Sequence, residues 1–483
     1  MESLEEKIRK VFPLESVYKD PARSKFFSNL NIPSYLRDWL IKKFSENEYI
    51  NLDRVKEFIH TKIPRKEDVQ LIKDILMNRC ERVEILAKIL VEYDISTGEA
   101  LISLPELSIP DRKGQARIEK HLLQKYDDLL SLEGSWGVVT LEWRTEIPPG
   151  KKKEEGRIVC VDYKPFKPYR INLEYFREAR MQFTTEEWID VILKSMDYDP
   201  KGFDEEEEKI WMICRLIPFV EMRTNIIELA PKGTGKTYVY SQLSKYGWLV
   251  SGGSITRAKL FYDIARKRPG LVSRYDYVAL DEIHTISFPD EEEMKGALKG
   301  YLETGEYRVG DQKGIGEAGI VILGNIPIEY QNEKEFFFKS FDIDHPLRES
   351  AVLDRFHGFI KGWKLPKVRE GMKASGYALN VEYFTEILHT LRKELHYRFI
   401  VDELLEYPKD SYVRDIEAIK RLCTALMKLF FPHVSSKDDL DLEEFEKYCL
   451  NLALEMRGTI KTQLNMMDRE YSPYLPEVRI KEI

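Results

Sequence analysis

The chain has 483 residues, of which 43% are hydrophobic and 33% are charged, and its formal net charge is −8 at pH 7. This composition is typical of a soluble protein with about three domains, and the acidic balance argues against a uniformly basic nucleic-acid binder. DNA binding stays open, because a ring or channel can concentrate Lys and Arg locally. The five cysteines stand singly, so neither structural disulfides nor zinc sites are expected. With no apolar run near the ~18 residues of a membrane span and a charged N-terminus, we expect a cytoplasmic protein without membrane contact.

The N-terminal third is predicted to hold two domains. Residues 1–85 are predicted to be a helical domain, because residues 34–41 and 71–77 place apolar groups at helical spacing. Residues 86–180 are predicted to form a β-rich domain followed by a linker from residue 164. The strand-like runs that predict this second domain are 85–93, 100–104, 136–143 and 158–163.

The loops of the β-rich domain carry basic clusters. One contains Arg112 and Lys113, and another is the Lys-rich run 149–153. Lys164, Lys167 and Arg170 stand close in sequence to Phe166 and Tyr169. Basic residues mixed with aromatic ones suit phosphate contacts and base stacking, so the domain is a candidate DNA-binding domain. A solvated charged loop is the alternative for each cluster.

A new domain begins near residue 183. Thr184 and Glu187 have the spacing of a helix capping box, and Phe183 with Trp188 fits a hydrophobic staple. An apolar helical segment at 210–220 then leads to the most informative stretch of the chain, residues 224–237.

Residues 224–237 have the sequence TNIIELAPKGTGKT, in which an apolar run precedes a glycine-rich loop. A buried strand, the loop and a following helix are typical of a phosphate-binding loop. The glycines let backbone N–H groups face inward, and the helix N-terminus adds partial positive charge. One position departs from the usual G-x-x-x-x-G-K-[ST] pattern, because Ala230 stands where the first glycine is expected. A Gly- and Lys-rich surface turn is the alternative interpretation.

This loop predicts ATP and Mg²⁺ as cofactors. Lys236 would reach the β- and γ-phosphates, and Thr237 would offer its hydroxyl to Mg²⁺. The loop residues expected to bind nucleotide are Gly233, Thr234, Gly235, Lys236 and Thr237.

Two acidic residues end the next strand-like run, at residues 277–282. Asp281 would hold Mg²⁺ through water, and Glu282 would orient or deprotonate the attacking water. The following run, 320–323, ends at Asn325, which a parallel sheet would bring beside these acids. Asn325 would hold the nucleophilic water against the γ-phosphate, or it would serve only as a turn former before Pro327.

Two arginines further along are candidates to complete the site. Arg355 stands on an apolar segment and would reach a neighbouring subunit's nucleotide as an arginine finger in a ring, with Arg348 as the competing candidate. Arg414 lies in the first turn of a helix predicted from residue 412 and would touch the γ-phosphate from a C-terminal lid. A plain surface arginine is the alternative for Arg414.

The loop followed by Asp281, Glu282, Ile283 and His284 is also typical of motifs I and II of DExH helicases. Nothing downstream matches their Ser-Ala-Thr motif or their Gln-x-x-Gly-Arg-x-x-Arg motif. The series Asn325, Arg355 and Arg414 fits an AAA+ ATPase better. The predicted fold is therefore α/β, with an AAA+ P-loop ATPase core and parallel sheet at 181–366, preceded by helical and β-rich domains and followed by a helical lid and tail at 367–483.

The chain resembles the BrxL family, the Lon-related AAA+ components of BREX antiphage systems. The resemblance rests on these stretches: FTTEEWIDVIL, ELAPKGTGKTYVY, Ser-Gly-Gly at 251–253, LFYDIARKRPGLV, the Asp281–Glu282 segment, ILGNI and DRFHGFIKGW. It implies an ATPase core close to the MCM helicases, a ring of six subunits or two stacked rings, DNA in the central channel, and other BREX components as partners. It also implies that the hairpin predicted at 305–316 enters the channel, with Arg308 and Lys313 on phosphates. An exposed structural hairpin is the alternative.

Longer BrxL proteins carry a C-terminal Lon-protease-like domain, whereas a short polar tail follows Met467 here. We therefore expect no proteolysis by this chain. The leading hypothesis is an ATP-dependent DNA-binding ring, a translocase or clamp acting on duplex DNA without sequence preference. The competing hypotheses are a protein remodeller that grips polypeptide with Tyr307, Phe261 and Tyr262, and a nucleotide-gated scaffold for other defence components.

Overall fold

A computed structural model of the chain describes residues 3–21, 27, 33–46, 49–64, 68–95, 97–109, 115–130, 134–150, 152–166, 169–265, 267–326, 335–339 and 345–481. The chain divides into two compact units. One consists of Met1–Trp39 together with Ile171–Ile483, and the other of Leu40–Arg170. These units cut the chain at other places than the predicted domains 1–85 and 86–180.

The structure contains both helices and strands throughout the described residues. The strands are β1 (Ser16–Lys19), β2 (Ser45–Glu46), β3 (Tyr49–Ile50), β4 (Val83–Asp94), β5 (Glu99–Ser103), β6 (Ala116–Ile118), β7 (Ser135–Glu146), β8 (Glu155–Pro165), β9 (Ile226–Ala230), β10 (Gly247–Ser254), β11 (Tyr262–Asp263), β12 (Arg268–Pro269), β13 (Tyr277–Ser287), β14 (Glu306–Val309), β15 (Gln312–Ile315), β16 (Gly319–Asn325), β17 (Gly358–Lys361), β18 (Gly376–Leu379), β19 (Leu405–Glu406) and β20 (Arg479–Ile480). The α-helices are α1 (Leu4–Val11), α2 (Ser34–Phe44), α3 (Leu52–Lys62), α4 (Asp68–Met77), α5 (Lys120–Lys125), α6 (Leu173–Arg180), α7 (Thr185–Ser195), α8 (Glu206–Cys214), α9 (Ile217–Val220), α10 (Lys236–Gln242), α11 (Arg257–Leu260), α12 (Glu291–Thr304), α13 (Ser350–Leu353), α14 (Val381–Leu391), α15 (His396–Leu404), α16 (Val413–Phe430), α17 (Leu442–Phe445) and α18 (Asn451–Met467). Among the helices of the described ranges, none combines the length and the apolar character needed to cross a bilayer.

The smaller unit is built around a closed barrel of β4 to β8, in the order β4-β5-β6-β8-β7. The four strand-like runs predicted between residues 85 and 163 are confirmed as β4, β5, β7 and β8. Alternate side chains along these strands point inward and form one apolar core that includes Ile85, Ile102 and Val139. The short β6 pairs in parallel with β8, while the other neighbouring strands of the barrel are antiparallel.

The larger unit is built around a five-stranded sheet in the order β10-β13-β16-β9-β17, with all its pairs parallel. The predicted α/β fold with a parallel sheet is thus confirmed. Strand β9 is buried along its whole length, as a strand covered on both faces must be. Because all five strands run in the same direction, they end on one side of the sheet and begin on the opposite side. We call the side where β9, β13 and β16 end the carboxyl edge, and the side where β9 and β17 begin the amino edge.

The first 39 residues belong to the larger unit because they pair with its distant parts. Strand β1 forms an antiparallel ladder with β18. The Lys19 ammonium lies 2.7 Å from the Asp197 carboxylate, and the backbone N–H of Val381 donates to Asp38. These long-range contacts explain why the N-terminal segment is not part of the barrel unit.

Candidate nucleotide-binding site

The glycine-rich loop connects the end of β9 to the start of α10 at the carboxyl edge. Gly233 and Gly235 adopt left-handed backbone angles, with φ of 88° and 80°. At Gly235 a side chain is also excluded by packing, since a Cβ would lie 2.4 Å from the Tyr198 hydroxyl. The helix begins directly at Lys236, so its free N–H groups lie next to the loop.

Ala230, which replaces the usual first glycine of the loop, is fully buried. Its methyl group occupies space that Gly362 leaves open: a Cβ on Gly362 would lie 2.2 Å from the Cβ of Ala230. The extra methyl group therefore fits, because the residue beside it on the neighbouring chain segment has no side chain.

Lys236 is almost completely buried, with 8% of its surface exposed. Its ammonium donates a hydrogen bond of 2.9 Å to the side-chain oxygen of Asn325. Burial lowers the pKa of Lys236, whereas the carboxylates of Glu228, Asp281 and Glu282 act in the opposite direction. The contact brings the loop lysine and the polar end of β16 together.

Asp281 and Glu282 lie at the carboxyl edge beside the loop. The Thr237 hydroxyl donates to Asp281 at 2.6 Å, and the backbone N–H of Glu282 donates to the other oxygen of Asp281 at 2.8 Å. Asp281 is buried, while the Glu282 side chain is exposed. Glu282 also has a φ of 53°, which is uncommon for a residue with a side chain and is often found at functional sites.

These groups fit a magnesium-bound triphosphate. A hydroxyl oxygen and a carboxylate oxygen 2.6 Å apart are the kind of ligands that Mg²⁺ takes from proteins. The loop contributes two left-handed glycines and a helix N-terminus, and Lys236 contributes a buried cation. The six predicted binding residues and Asn325 therefore lie in one place, although their roles stay predictions.

A buried ion pair beneath the loop was not expected from the sequence. Arg215 and Glu228 are both inaccessible to solvent, and Arg215 donates to Glu228 at 3.0 Å and to the backbone carbonyl of Thr234 at 2.8 Å. Arg215 stands between α8 and α9, and Glu228 stands in the middle of β9. The pair ties the loop to the sheet from below. In the sequence, the signal for this pair is Glu228 itself, because a charged residue inside an otherwise apolar strand needs a partner of opposite charge.

A second cluster links α10 to the N-terminal segment. The hydroxyl of Tyr238 donates to Asp197 at 2.6 Å, and Arg37 lies 2.7 Å from the same carboxylate. Burial alone would raise the pKa of Asp197, but Arg37 and Lys19 hold that pKa well below its ordinary value. The helix that follows the loop is thus held in place by residues from the first 39 positions.

Arg355 and Arg414 come together at the amino edge. Arg355 lies 2.7 Å and Arg414 lies 3.0 Å from the same carboxylate oxygen of Glu303. Strand β9, roughly 13 Å long at 3.3 Å per residue, separates this edge from the loop. Arg348, the competing candidate, lies with its guanidinium 6.0 Å from the centre of the Phe336 ring. The two arginines are therefore presented away from the loop of their own chain.

The hairpin predicted at 305–316 is confirmed as β14 and β15. Arg308 and Lys313 are paired across it and both are exposed, and with Arg257 they line an open groove of about 1020 Å³. Tyr307 instead points inward, with its ring 5.6 Å from that of the buried Phe261. Arg112 and Lys113, the predicted DNA contacts of the β-rich domain, lie outside the described residues.

Two family models match this chain, one over its N-terminal part and one over the rest. Residues 158–477 match the family described as "Lon-like protease BrxL-like, ATPase domain", and residues 10–143 match "BREX system Lon protease-like protein BrxL N-terminal". A protein of Escherichia coli O9:H4 (strain HS) named "Lon-like protease BrxL" is 30% identical over 447 residues, which are 90% of this chain and 61% of that protein. A protein of the same name from Bacillus cereus (strain H3081.97) is 28% identical over 476 residues, which are 96% of this chain and 67% of that protein. The chain thus spans about two thirds or less of the length of these relatives.

Proposed function

Because the chain belongs to the BrxL family, we propose that it is an ATP hydrolase of BREX-type phage defence that works as an AAA+ ring on DNA. One observation carries the hydrolase part. At a single edge of the sheet, Lys236 contacts Asn325 and Thr237 contacts Asp281, with Glu282 next in the chain. These are the groups needed to bind a triphosphate, to hold a metal ion and to activate water.

The residues of the site have separate tasks in this proposal. Lys236 and the loop N–H groups bind the phosphates, and Thr237 and Asp281 hold the metal ion. Mg²⁺, when bound, offsets the negative charge that develops on the phosphates. Glu282 accepts the proton of the attacking water, and Asn325 orients that water through its side-chain amide. The exposure of Glu282 leaves its carboxylate accessible to water.

The position of the arginines supports the ring. Strand β16, which ends at Asn325, lies between the loop strand β9 and the acid-bearing strand β13, so the nucleotide residues gather at one edge of the sheet. Arg355 and Arg414 lie at the opposite edge, so in a ring of six subunits, or two stacked rings, they would reach the nucleotide of a neighbouring copy.

DNA is the proposed substrate of the ring, as duplex without sequence preference. Exposed Arg308 and Lys313 on the β14–β15 hairpin supply phosphate contacts. The smaller unit contains a barrel of five strands. OB folds are also five-stranded barrels, and they bind oligonucleotides. Other BREX components remain expected partners, and the cytoplasm remains the expected compartment.

The protein-remodeller alternative loses its main support. It depends on exposed aromatic residues, but Phe261 and Tyr307 are buried and Tyr262 packs against the same core. The scaffold alternative differs from the leading proposal in one measurable respect, since DNA has no reason to accelerate hydrolysis by a scaffold.

The test compares ATP hydrolysis with duplex DNA, single-stranded DNA and an unfolded protein. We expect duplex DNA to raise the rate most, and the Glu282→Gln variant to bind ATP without turning it over. Stimulation by unfolded protein alone would favour a remodeller. A hydrolysis rate that is unchanged by duplex DNA, single-stranded DNA and unfolded protein would favour a scaffold. Wild-type turnover by Glu282→Gln would remove Glu282 from its proposed role.

A further inference from the structure

Glu303 holds both candidate arginines at the amino edge. It is the penultimate residue of α12, and its carboxylate lies within 3.0 Å of the guanidinium groups of Arg355 and Arg414. Arg414 also pairs with Asp354 at 3.0 Å. Two cations that would otherwise repel each other thus share one carboxylate.

Arg414 depends on this carboxylate for a second reason. It lies in the first turn of α16, where the helix dipole disfavours a cation. Its side chain is 44% exposed, so packing alone does not fix its position. The carboxylates of Glu303 and Asp354 are therefore the groups that keep Arg414 beside Arg355.

Arg355 retains the capacity to bind a further acceptor. It donates to the backbone carbonyl of Ala351, but its buried Nε makes no hydrogen bond of good geometry, although Glu303 is 2.7 Å away. A guanidinium carries five N–H donors. Nη1 donates to Ala351 and Nε faces Glu303, so among the contacts of the described residues Nη2 is the nitrogen left to donate to an incoming phosphate oxygen.

Asp354, unlike Glu303, is locked into the fold. It is buried and pairs with the fully buried Arg457, which in turn pairs with Asp415. Glu303 is 37% exposed and stands at a helix end. Glu303 can therefore be replaced by the nearly isosteric Gln without disturbing the buried pairs among Asp354, Arg457 and Asp415, which makes it the useful probe of this cluster.

We propose that Glu303 is a positioning residue: its carboxylate holds Arg355 and Arg414 together so that both reach one phosphate of the nucleotide bound by an adjacent copy. The inference rests on the proposed function, because it assumes that the arginines act between subunits. Loss of the negative charge lets the two guanidinium groups separate, so the rate of hydrolysis falls while the nucleotide cradle of the same chain is unaffected.

The experiment measures kcat and KM for ATP in Glu303→Gln, Glu303→Asp and Glu292→Gln. Glu303→Gln is expected to lower kcat about tenfold, equal to about 1.4 kcal/mol, with KM within about twofold of wild type. Glu303→Asp retains the charge and is expected to recover part of kcat. Glu292→Gln is the matched control, since Glu292 is on the same helix, is 88% exposed and pairs with Lys295.

Mixing subunits separates positioning from a folding defect. Lys236→Ala subunits retain Glu303 and both arginines, so mixing them with Glu303→Gln subunits is expected to restore activity. The parallel mixture of Lys236→Ala with Arg355→Ala tests the proposed function itself. Recovery in the Arg355→Ala mixture together with a wild-type or raised kcat for Glu303→Gln overturns the positioning role alone. No recovery in either mixture, with mixed assemblies confirmed, overturns the arrangement between subunits and the positioning role with it.

Discussion

The cationic side chains at the two edges of the five-stranded sheet differ in how far they are exposed to solvent. At the carboxyl edge, Lys236 is 8% exposed and is surrounded by polar groups of its own chain. At the amino edge, Arg414 is 44% exposed and is held beside Arg355 by carboxylates. A buried cation in a preformed cradle suits binding within one chain, whereas an exposed arginine paired beside a half-buried one suits a partner that arrives from outside. This difference fits the proposal that the carboxyl edge binds the nucleotide and that the amino edge completes the nucleotide site of a neighbouring copy.

The largest expected effect is at the carboxyl edge. Lys236→Ala should abolish ATP binding, because it removes the cation inside the cradle, while leaving the amino edge intact. Binding of a fluorescent ATP analogue checks this. The matched control is Lys232→Ala, an exposed lysine of the same loop, which should bind nearly as wild type. Tight binding by Lys236→Ala would contradict the assignment of the loop.

Arg355→Ala, at the amino edge, should impair hydrolysis rather than ATP binding. ATP binding should persist, and kcat should fall by about 10³ or more, the usual contribution of an arginine supplied to a neighbour's nucleotide. Binding and steady-state hydrolysis are measured on the same preparation. Arg348→Ala is the control, and if it rather than Arg355→Ala stops turnover, Arg348 is the arginine that acts.

Arg215→Met tests the support beneath the loop. Removal of one member of a buried ion pair leaves Glu228 without its partner, and we expect a loss of about 3–5 kcal/mol in the free energy of unfolding. Urea unfolding of the variant measures this loss. The double variant Arg215→Met with Glu228→Leu should recover much of it, since no unpaired charge remains. Equal stability of the single and double variants would show that the unpaired Glu228 charge is not the cause of the loss, and would assign the loss to other contacts of Arg215 such as the one to Thr234.

The smallest expected effect concerns the hairpin. Replacing both Arg308 and Lys313 with alanine should weaken DNA binding and reduce the slope of log K against log salt by about 1 for each phosphate that is no longer neutralised. Binding titrations at several salt concentrations measure the slope. Lys437→Ala, at an exposed lysine in the C-terminal part of the chain, should leave it unchanged. An unaltered slope in the double variant would exclude the hairpin from binding phosphate.

The parts of the fold that the sequence predicted are those with a strong local signal. Short apolar runs predicted β9, β13 and β16. The Thr184 capping box predicted the start of α7, where Thr184 and Glu187 bond reciprocally. The hairpin followed from its turn residues. Alternation within β14 already places Tyr307 on the face opposite Arg308, which explains why the tyrosine is buried and the arginine is exposed.

The parts that the sequence did not predict depend on interactions between distant segments. Strand β1 has only four residues, and its partner β18, at Gly376–Leu379, lies beyond the whole parallel sheet in the sequence. Arg215 has no local pattern that identifies its partner, because the charge it neutralises is on a separate strand. The shared carboxylate of Glu303 is likewise visible only once the end of α12 and the first turn of α16 are brought together.

The substitution of alanine for the first loop glycine has a consequence for how such loops are recognised. Gly362, directly after the neighbouring strand β17, leaves the space that the methyl group of Ala230 fills, so the tolerance for alanine at position 230 depends on a glycine far along the chain. The exchange is not symmetric, because a Cβ at position 362 would also lie 2.8 Å from the Cα of Ala230 and from the carbonyl oxygen of Leu229. Gly362→Ala should therefore crowd the loop even when it is combined with Ala230→Gly. A pattern search that scores position 230 alone therefore misses Gly362, the residue that makes alanine acceptable there.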